Sequence, residues 1–200
     1  WREAPRLYAL ARSLPGICPV GIHMHIGSQI TDLEPYAGAL TLLAELVTSL
    51  RDAGHPIEFV NLGGGLGVPY RDDSEPPPHP EIYAALVKEK LGGLGCKFLF
   101  EPGRMIAGNS GVLVTRVIYN KVTTAKRFLI VDAAMNDLIR PTLYDAYHEI
   151  WPVDEKRALQ SRTAQDVVGP ICESSDFLAK DRLLPPLPSG DLLAVMTAGA

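Results

Sequence analysis

Three short apolar segments alternate with longer amphipathic segments in the first half of the 200-residue chain, and this alternation constrains the fold more than any other feature. The apolar segments, at residues 20–26, 57–62 and 97–100, have the length of buried strands. Helices are predicted at residues 2–14, 35–53 and 81–91, with a proline-rich loop at 72–80. Strand, loop and helix in repetition predict parallel βα units, because parallel strands require a long crossover connection.

Chemically distinctive residues lie at the end of each predicted strand rather than at its beginning. His25 lies at the end of the first strand, three glycines at 63–65 follow the second, and Glu101 follows the third. In (β/α)8 barrels, catalytic groups collect at the C-terminal ends of the strands. A closed barrel needs eight strands and about 250 residues. The three units at residues 1–110 therefore predict the C-terminal portion of a TIM-like barrel.

The second half of the chain has strand-like segments without helical periodicity between them. These segments lie at residues 111–119, 127–132, 166–171 and from 192 onward. They predict a second, mostly antiparallel β domain at residues 111–200, incomplete at its C-terminus. The expected fold class is therefore α/β plus β.

Composition argues against several kinds of partner. The formal net charge of −4 provides no basic surface for nucleic acid, and no apolar run approaches the roughly 18 residues of a membrane span. Three cysteines argue against a disulfide framework and for a reducing compartment, so we expect a cytoplasmic protein. The chain begins at Trp1, next to a predicted helix, and we expect it to be a piece of a longer protein. The apolar side predicted for that helix carries Leu7, Leu10, Ala11 and Leu14.

The segment Phe98–Arg104 ends an apolar run with a carboxylate, a proline, a glycine and an arginine. Ionisable groups beside a buried strand need a partner that offsets their partial burial, so Glu101 and Arg104 suggest a ligand. Pro102 removes a backbone donor and Gly103 permits close approach of the backbone. A carboxylate on one side and a guanidinium on the other suit a ligand that is cationic at one end and anionic at the other. A surface ion pair at a strand end is the alternative.

Residues after the first two strands suggest where the anionic end would bind. His25 offers a flat ring that can stack on an aromatic group, and Ser28 offers a hydroxyl. Gly63-Gly64-Gly65 supplies unobstructed amides, and together with Ser28 and Arg104 it predicts a phosphate cup. His23 is interpreted as a core histidine, and no second ligand cluster completes a metal site with it.

Two further groups of candidate residues lie in the β half. Cys172 lies in a polar loop beside Glu173 and Asp176, whose negative charges favour the protonated thiol and hence a proton donor. Arg140 and Tyr144 are four residues apart and share a face if the segment is helical. They could bind a substrate carboxylate or form a solvated surface pair, and their local sequence leaves both alternatives open.

Four motifs occur in order and at compatible spacing: His25-Ile-Gly-Ser-Gln29, Asn61-Leu-Gly-Gly-Gly65, Glu101-Pro-Gly-Arg104 and Gly169-Pro-Ile-Cys-Glu-Ser-Ser-Asp176. The combination resembles the barrel-type pyridoxal phosphate decarboxylases of the alanine racemase fold, most closely the branch that acts on meso-diaminopimelate. The resemblance covers essentially all of the chain. It implies decarboxylation of meso-2,6-diaminopimelate to L-lysine and carbon dioxide, the last step of lysine biosynthesis, by a homodimer with shared active sites.

The resemblance also implies a role for each candidate residue. The residues implied to bind pyridoxal phosphate are His25, Ser28, Gly64, Gly65, Glu101, Pro102, Gly103 and Arg104. Among them, His25 would stack on the ring and Glu101 would keep the pyridine nitrogen protonated, which makes the ring an electron sink. Cys172 of the partner subunit would return a proton to the reacting carbon. The residues implied to read the substrate are Arg104, Arg140, Tyr144 and Glu173.

Two features of the family are missing from these 200 residues. The lysine that binds the cofactor covalently lies upstream in the family, and a C-terminal tyrosine lies beyond Ala200. The chain alone is therefore expected to be inactive and to fold poorly. Two alternatives stay open: a relative that decarboxylates ornithine, arginine, lysine or a D-amino acid, and a non-catalytic relative that uses the fold for binding.

Overall fold

The computed structural model describes residues 1–71 and 76–200, and within them the chain forms two compact units. The first unit contains Trp1–Val68 and a later segment that ends at Met105, and the second contains Ile106–Ala200 with a short segment that begins at Pro69. The first four residues of the predicted loop 72–80 lie outside the described residues. None of the helices in the described ranges is both long and apolar enough to cross a membrane.

The helices and strands are as follows. Helices lie at Ala4–Ser13 (α1), Glu34–Asp52 (α2), Pro80–Leu91 (α3), Gly103–Ala107 (α4), Arg140–Tyr144 (α5) and Glu155–Ala158 (α6). Strands lie at Gly21–His23 (β1), Phe59–Asn61 (β2), Lys97–Leu99 (β3), Leu113–Val122 (β4), Arg127–Val131 (β5), Ile150–Pro152 (β6), Thr163–Val168 (β7), Phe177–Leu184 (β8) and Leu192–Val195 (β9).

The strands of the first unit form a parallel sheet in the order β1-β2-β3, as the alternation of segments predicts. Ile22 and Val60 pair in register and lie in a core with the apolar sides of α2 and α3. The buried residues of α2 follow helical spacing: Tyr36, Leu40, Leu43, Leu46, Val47 and Leu50. This stripe stabilises the unit, because an amphipathic helix in a protein gains most of its stability from packing.

The residues of α1 that pack on the core differ from the four on its predicted apolar side. Ala4 and Tyr8 pack on the core instead, and the Tyr8 hydroxyl donates to the Gly21 carbonyl at 2.5 Å. This hydrogen bond to β1 fixes the rotation of the helix about its own axis. The leucines that are left exposed are Leu7, Leu10 and Leu14.

The second unit is a six-stranded sheet in the order β6-β9-β4-β5-β7-β8. Every neighbouring pair is antiparallel except β5 and β7, so the sheet is mostly antiparallel, as predicted. Its core consists of aliphatic side chains from several strands. Those with no exposed surface are Val117, Leu129, Val131, Val167, Leu193 and Val195.

Two strands, β6 and β8, were not predicted from the sequence. β8 contains the charged run Lys180-Asp181-Arg182, which interrupts the alternation of apolar and polar residues. Asp181 has a φ of 48°, and the pairing of β7 with β8 shifts register between Gln165 and Val167. Such an irregularity removes the period-2 pattern on which strand prediction depends.

A carboxylate joins β4 to the end of β5. Asp132 Oδ1 accepts hydrogen bonds from the Arg116 amide and the Thr115 hydroxyl, both at 2.7 Å. The Thr115 hydroxyl also accepts from the Ala133 amide at 3.0 Å. These bonds favour the ionised carboxylate and lower the pKa of Asp132 below its ordinary value, with the Arg116 amide as the largest cause.

We predict that Asp132→Asn destabilises the protein at neutral pH and has less effect in acid. Because the pKa of Asp132 is lowered on folding, its stabilisation is present above the ordinary aspartate pKa and is lost as the pH falls through the lowered value. Solvent screens this exposed carboxylate, so we expect the substitution to lower the free energy of unfolding by only about 0.5–1 kcal/mol at neutral pH. Urea unfolding of the full-length protein at neutral and acidic pH measures it. Asp145→Asn, at an exposed turn with a φ of 51°, is the control, and a loss independent of pH would contradict the prediction.

Candidate functional site

The face of the parallel sheet opposite the core carries polar side chains. His23, Asn61 and Leu99 are partners in register across β1, β2 and β3, and Glu101 follows two residues after Leu99. The side chain of His23 is 54% exposed, and its Nε2 lies 3.8 Å from Glu101 Oε2. The interpretation of His23 as a core histidine is therefore wrong, because Ile22 is the residue of β1 that enters the core.

Glu101 is held in place by Asn61. Asn61 Nδ2 donates to Glu101 Oε1 at 2.7 Å, and Asn61 Oδ1 accepts from the Gly63 amide at 2.9 Å. The backbone of Glu101 is fixed as well, since its amide donates to the Gly63 carbonyl at 2.8 Å. The carboxylate thus has a defined position although its side chain is 54% exposed.

The glycine turn at residues 63–65 brings three strand ends close together. Gly63 and Gly65 have φ values of 64° and 101°, in the left-handed region that favours glycine. A Cβ on Gly64 would overlap the carbonyl oxygen of Glu101, and a Cβ on Gly65 would overlap the carbonyl oxygen of Gly27. Glycine is therefore required here by the neighbouring backbone.

The predicted phosphate residues lie around this turn. The Gly64 amide donates to His25 Nδ1 at 3.3 Å, which leaves the proton of a neutral His25 ring on Nε2. Since the Gly63 amide also donates to Asn61, the amides of Gly63 and Gly64 are not unobstructed as predicted. The Gly64 carbonyl accepts from the buried Tyr36 hydroxyl at 3.0 Å. Arg104 Nη2 donates to the Ser28 hydroxyl at 3.2 Å, so a guanidinium and a hydroxyl converge.

This donor set fits a ligand with two unlike ends. Glu101 offers a carboxylate, whereas Arg104 and Ser28 offer donors to an anion beside the glycine turn. Pyridoxal phosphate has a basic ring nitrogen at one end and a phosphate at the other, so its chemistry matches these residues. Among residues 1–71 and 76–200, no cluster of three or more histidine, cysteine, aspartate or glutamate side chains could hold a metal ion.

A cavity of about 210 Å³ touches the same turn but does not suit a phosphate. Beyond Gly63 and Gly64, its lining is apolar or aromatic and includes Tyr83, Phe100 and Met105. Burial raises the pKa of Tyr83 to about 12, so the phenol stays neutral at physiological pH. Arg104 is not among the lining residues that the structure describes, and none of those residues supplies the cation that a phosphate requires.

In the second unit, Asp176 anchors the loop that carries Cys172 and Glu173. Asp176 is only 4% exposed, and its carboxylate accepts from the Met135 and Ile171 amides, both at 2.7 Å. Cys172 and Glu173 themselves are exposed. Asp176 is the acceptor that holds the loop together, and its expected effect on the Cys172 thiol stays a prediction.

Helix α5 carries Arg140 and Tyr144, which have different surroundings. Arg140 Nη1 lies 2.9 Å from His148 Nε2, and its guanidinium lies 4.6 Å from the centre of the Tyr70 ring. His148 is fully buried, and its Nδ1 lies 2.9 Å from the Met196 carbonyl. Since a carbonyl only accepts, Nδ1 carries the ring proton and Nε2 accepts from Arg140. Tyr144 is 69% exposed.

The predicted site residues fall into two groups, one in each unit. Those of the first unit are His25, Ser28, Gly64, Gly65, Glu101, Pro102, Gly103 and Arg104. Those of the second unit are Arg140, Tyr144, Cys172 and Glu173. Helix α5 and the loop of Cys172, which carry the residues of the second unit, are joined by a hydrogen bond from the Thr142 hydroxyl to the Ser175 carbonyl at 2.6 Å.

Three residues that hold these groups were not assigned a role from the sequence: Asn61, His148 and Tyr70. For Asn61 a signal existed, since a polar side chain ends a buried strand directly before the glycines. For His148 and Tyr70 there was none, because His148 is anchored by the distant Met196 carbonyl and Tyr70 lies far from Arg140 in the chain.

The chain belongs to a family of pyridoxal-dependent decarboxylases. The sequence model of this family, described as "Pyridoxal-dependent decarboxylase, C-terminal sheet domain", matches residues 16–199. The match includes both the glycine turn with its neighbours and the loop of Cys172.

Within the family, the chain is similar to proteins named diaminopimelate decarboxylase. The one from Pseudomonas aeruginosa is 52% identical over 198 residues, covering 99% of this chain and 46% of that protein. The chain is also similar to the crystal structure of AQ1208 from Aquifex aeolicus, with a TM-score of 0.95 at 46% identity, covering 100% of this chain and 49% of that one. The crystal structure of diaminopimelate decarboxylase from Helicobacter pylori complexed with L-lysine has a TM-score of 0.91 at 41% identity, covering 100% of this chain and 48% of that one. The chain thus spans about half the length of the curated relatives it matches.

We predict that Gly64→Ala destabilises the full-length protein whereas Gly93→Ala does not. A methyl group at position 64 would overlap the Glu101 carbonyl oxygen, which is backbone and cannot rotate away. A Cβ on Gly93 meets no atom within 4 Å. Overpacking of this kind costs about 1–3 kcal/mol, which urea unfolding measures. Equal unfolding midpoints for the two variants would contradict the close approach at Gly64.

Proposed function

We propose that the full-length protein is a pyridoxal phosphate-dependent carboxy-lyase that converts meso-2,6-diaminopimelate to L-lysine and carbon dioxide, the last step of lysine biosynthesis. The observation that carries the proposal is the presence of two unlike groups after the strands: Glu101, whose backbone closely approaches Gly64 of the glycine turn, and Arg104, which donates to Ser28. The names of the similar proteins support the choice of substrate.

In this proposal the parallel sheet is the last part of a (β/α)8 barrel of the alanine racemase type at residues 1–110, followed by a β domain at 111–200. One face of the sheet packs on helices, while the other is polar and exposed, as expected for strands that line the inside of a barrel. The remaining strands and the lysine that binds the cofactor would lie in a part of the full-length protein that corresponds to the region of the relatives outside the match.

Bound pyridoxal phosphate supplies an electron sink for the charge left on the substrate when carbon dioxide departs. Glu101 would keep the ring nitrogen protonated, because a nearby carboxylate favours the positively charged form. His25 would lie against the ring. The residues that would hold the phosphate end are Ser28, Gly64, Gly65, Pro102, Gly103 and Arg104.

The remaining candidates would select the substrate and complete the reaction. Arg140, Tyr144 and Glu173, with Arg104, would bind the distal amino acid group of diaminopimelate. Arg140 is oriented by His148, and an oriented arginine penalises a substrate without the distal carboxylate, because unmatched polar groups are costly in a binding site. We further propose a cytoplasmic homodimer with shared active sites, in which Cys172 of the partner subunit donates a proton to the reacting carbon.

We predict that the full-length protein shows the visible absorbance of bound pyridoxal phosphate and releases carbon dioxide from meso-diaminopimelate. Release from lysine, ornithine, arginine and D-amino acids is expected to be small, since these lack the distal amino acid group. Activity on one of these other amino acids alone would leave the cofactor assignments in place and overturn the assignment of meso-diaminopimelate as the substrate. A full-length protein without bound cofactor would favour the non-catalytic alternative.

We predict that Arg140→Ala raises KM for meso-diaminopimelate by about 10–100-fold with a smaller change in kcat, because it removes a charged hydrogen bond made in the bound state. Steady-state kinetics of the full-length protein measure both constants. Arg127→Ala, which removes an exposed arginine of the same unit at the start of β5, is the matched control. An unchanged KM in Arg140→Ala would contradict the assignment of Arg140.

A further inference from the structure

Asn61 makes two hydrogen bonds of different kinds at the end of β2. Its Oδ1 accepts from the Gly63 amide at 2.9 Å, and its Nδ2 donates to Glu101 Oε1 at 2.7 Å. We propose that Asn61 is a positioning residue, which orients Glu101 and through it the ring nitrogen of the cofactor. This inference rests on the proposed function, since it concerns the same binding site.

The orientation of the Asn61 side chain is determined by its surroundings. A backbone amide can only donate, so the Gly63 amide selects Oδ1 and directs Nδ2 to the carboxylate. Glu101 Oε1 is thereby engaged. Oε2 faces His23 Nε2 at 3.8 Å, which is longer than a hydrogen bond. Oε2 is therefore the oxygen that remains to meet a protonated ring nitrogen.

An amide suits this position better than a charged donor. A lysine or arginine would pair with the carboxylate and compete with the ring nitrogen for its charge. The neutral amide of Asn61 fixes the rotamer of Glu101 without neutralising it. Because the side chain of Glu101 is 54% exposed, it would otherwise be free to adopt several rotamers, and ordering it on binding would reduce affinity.

A double-mutant cycle in the full-length protein tests the inference, with titration of the apoprotein by pyridoxal phosphate and its visible absorbance as the readout. Asn61→Ala is expected to raise the dissociation constant about tenfold in the wild-type background, the size of one charged hydrogen bond. In the Glu101→Ala background, Asn61→Ala should change it by less than about twofold, because its partner is already absent. An equal loss of affinity for pyridoxal phosphate in both backgrounds would overturn the inference and leave Asn61 with only its contact to Gly63.

Asn61→Asp provides a second variant that preserves the shape of the side chain. It retains an oxygen for the Gly63 amide and loses only the donor to Glu101. Two carboxylates so close cannot both be ionised, so the cofactor absorbance should acquire a pH-dependent transition in addition to any that the wild type shows. The neighbouring titratable groups His23 and His25 are the same in all variants. The new pH dependence should disappear in Asn61→Asp with Glu101→Ala, and its persistence there would overturn the inference.

The wild-type titration separates the two levels of the proposal. A wild-type protein that gives no cofactor absorbance would overturn the proposed function and the role of Asn61 together. A wild-type protein that binds pyridoxal phosphate, with an Asn61→Ala variant of equal affinity and spectrum, would overturn the role of Asn61 alone.

Discussion

The candidate site depends on the close approach of backbone at residues 63–65. The turn touches the carbonyl of Gly27 after β1 and that of Glu101 after β3, so it spaces the loops on both sides of β2. Backbone hydrogen bonds continue the pairing of the strands as far as this turn. The Met24 amide donates to the Asn61 carbonyl and the Leu62 amide donates to the Leu99 carbonyl, both at 2.9 Å. The functional groups are therefore positioned by the sheet itself. Because they are already ordered, less conformational entropy of the protein is lost when a ligand binds.

The second unit positions its groups in a different way, with buried polar side chains beneath exposed ones. Asp176 accepts two backbone amides under the loop of Cys172, and His148 bridges the Met196 carbonyl and Arg140. Both buried side chains have partners for their polar atoms, as buried polar groups require. Satisfied networks of this kind favour one arrangement of the loop over others, because any alternative would leave a buried acceptor without its donor.

Local sequence patterns predicted the parallel units, the stripe of α2 and the residues around the glycine turn, because periodicity and strand-end motifs reflect interactions close in the chain. Three features that local patterns did not predict have nonlocal causes. The face of α1 is set by a hydrogen bond from Tyr8 to β1, the position of His23 by which face of the sheet the helices cover, and β8 by an irregular register with β7. The support of Arg140 likewise depends on folding, which brings Tyr70 to Arg140 and the Met196 carbonyl to His148.

The glycine turn also bears on how this fold would diverge after gene duplication. The carbonyls of Gly27 and Glu101 occupy the space beside residues 64 and 65 whether or not a ligand binds. A copy that had lost its cofactor would therefore still be selected to retain these glycines, to preserve folding. The carboxylate of Glu101 and the guanidinium of Arg104 are under no such packing requirement from the turn. In a lineage that loses catalysis, we therefore expect substitutions at positions 101 and 104 while the glycines at 63–65 are retained.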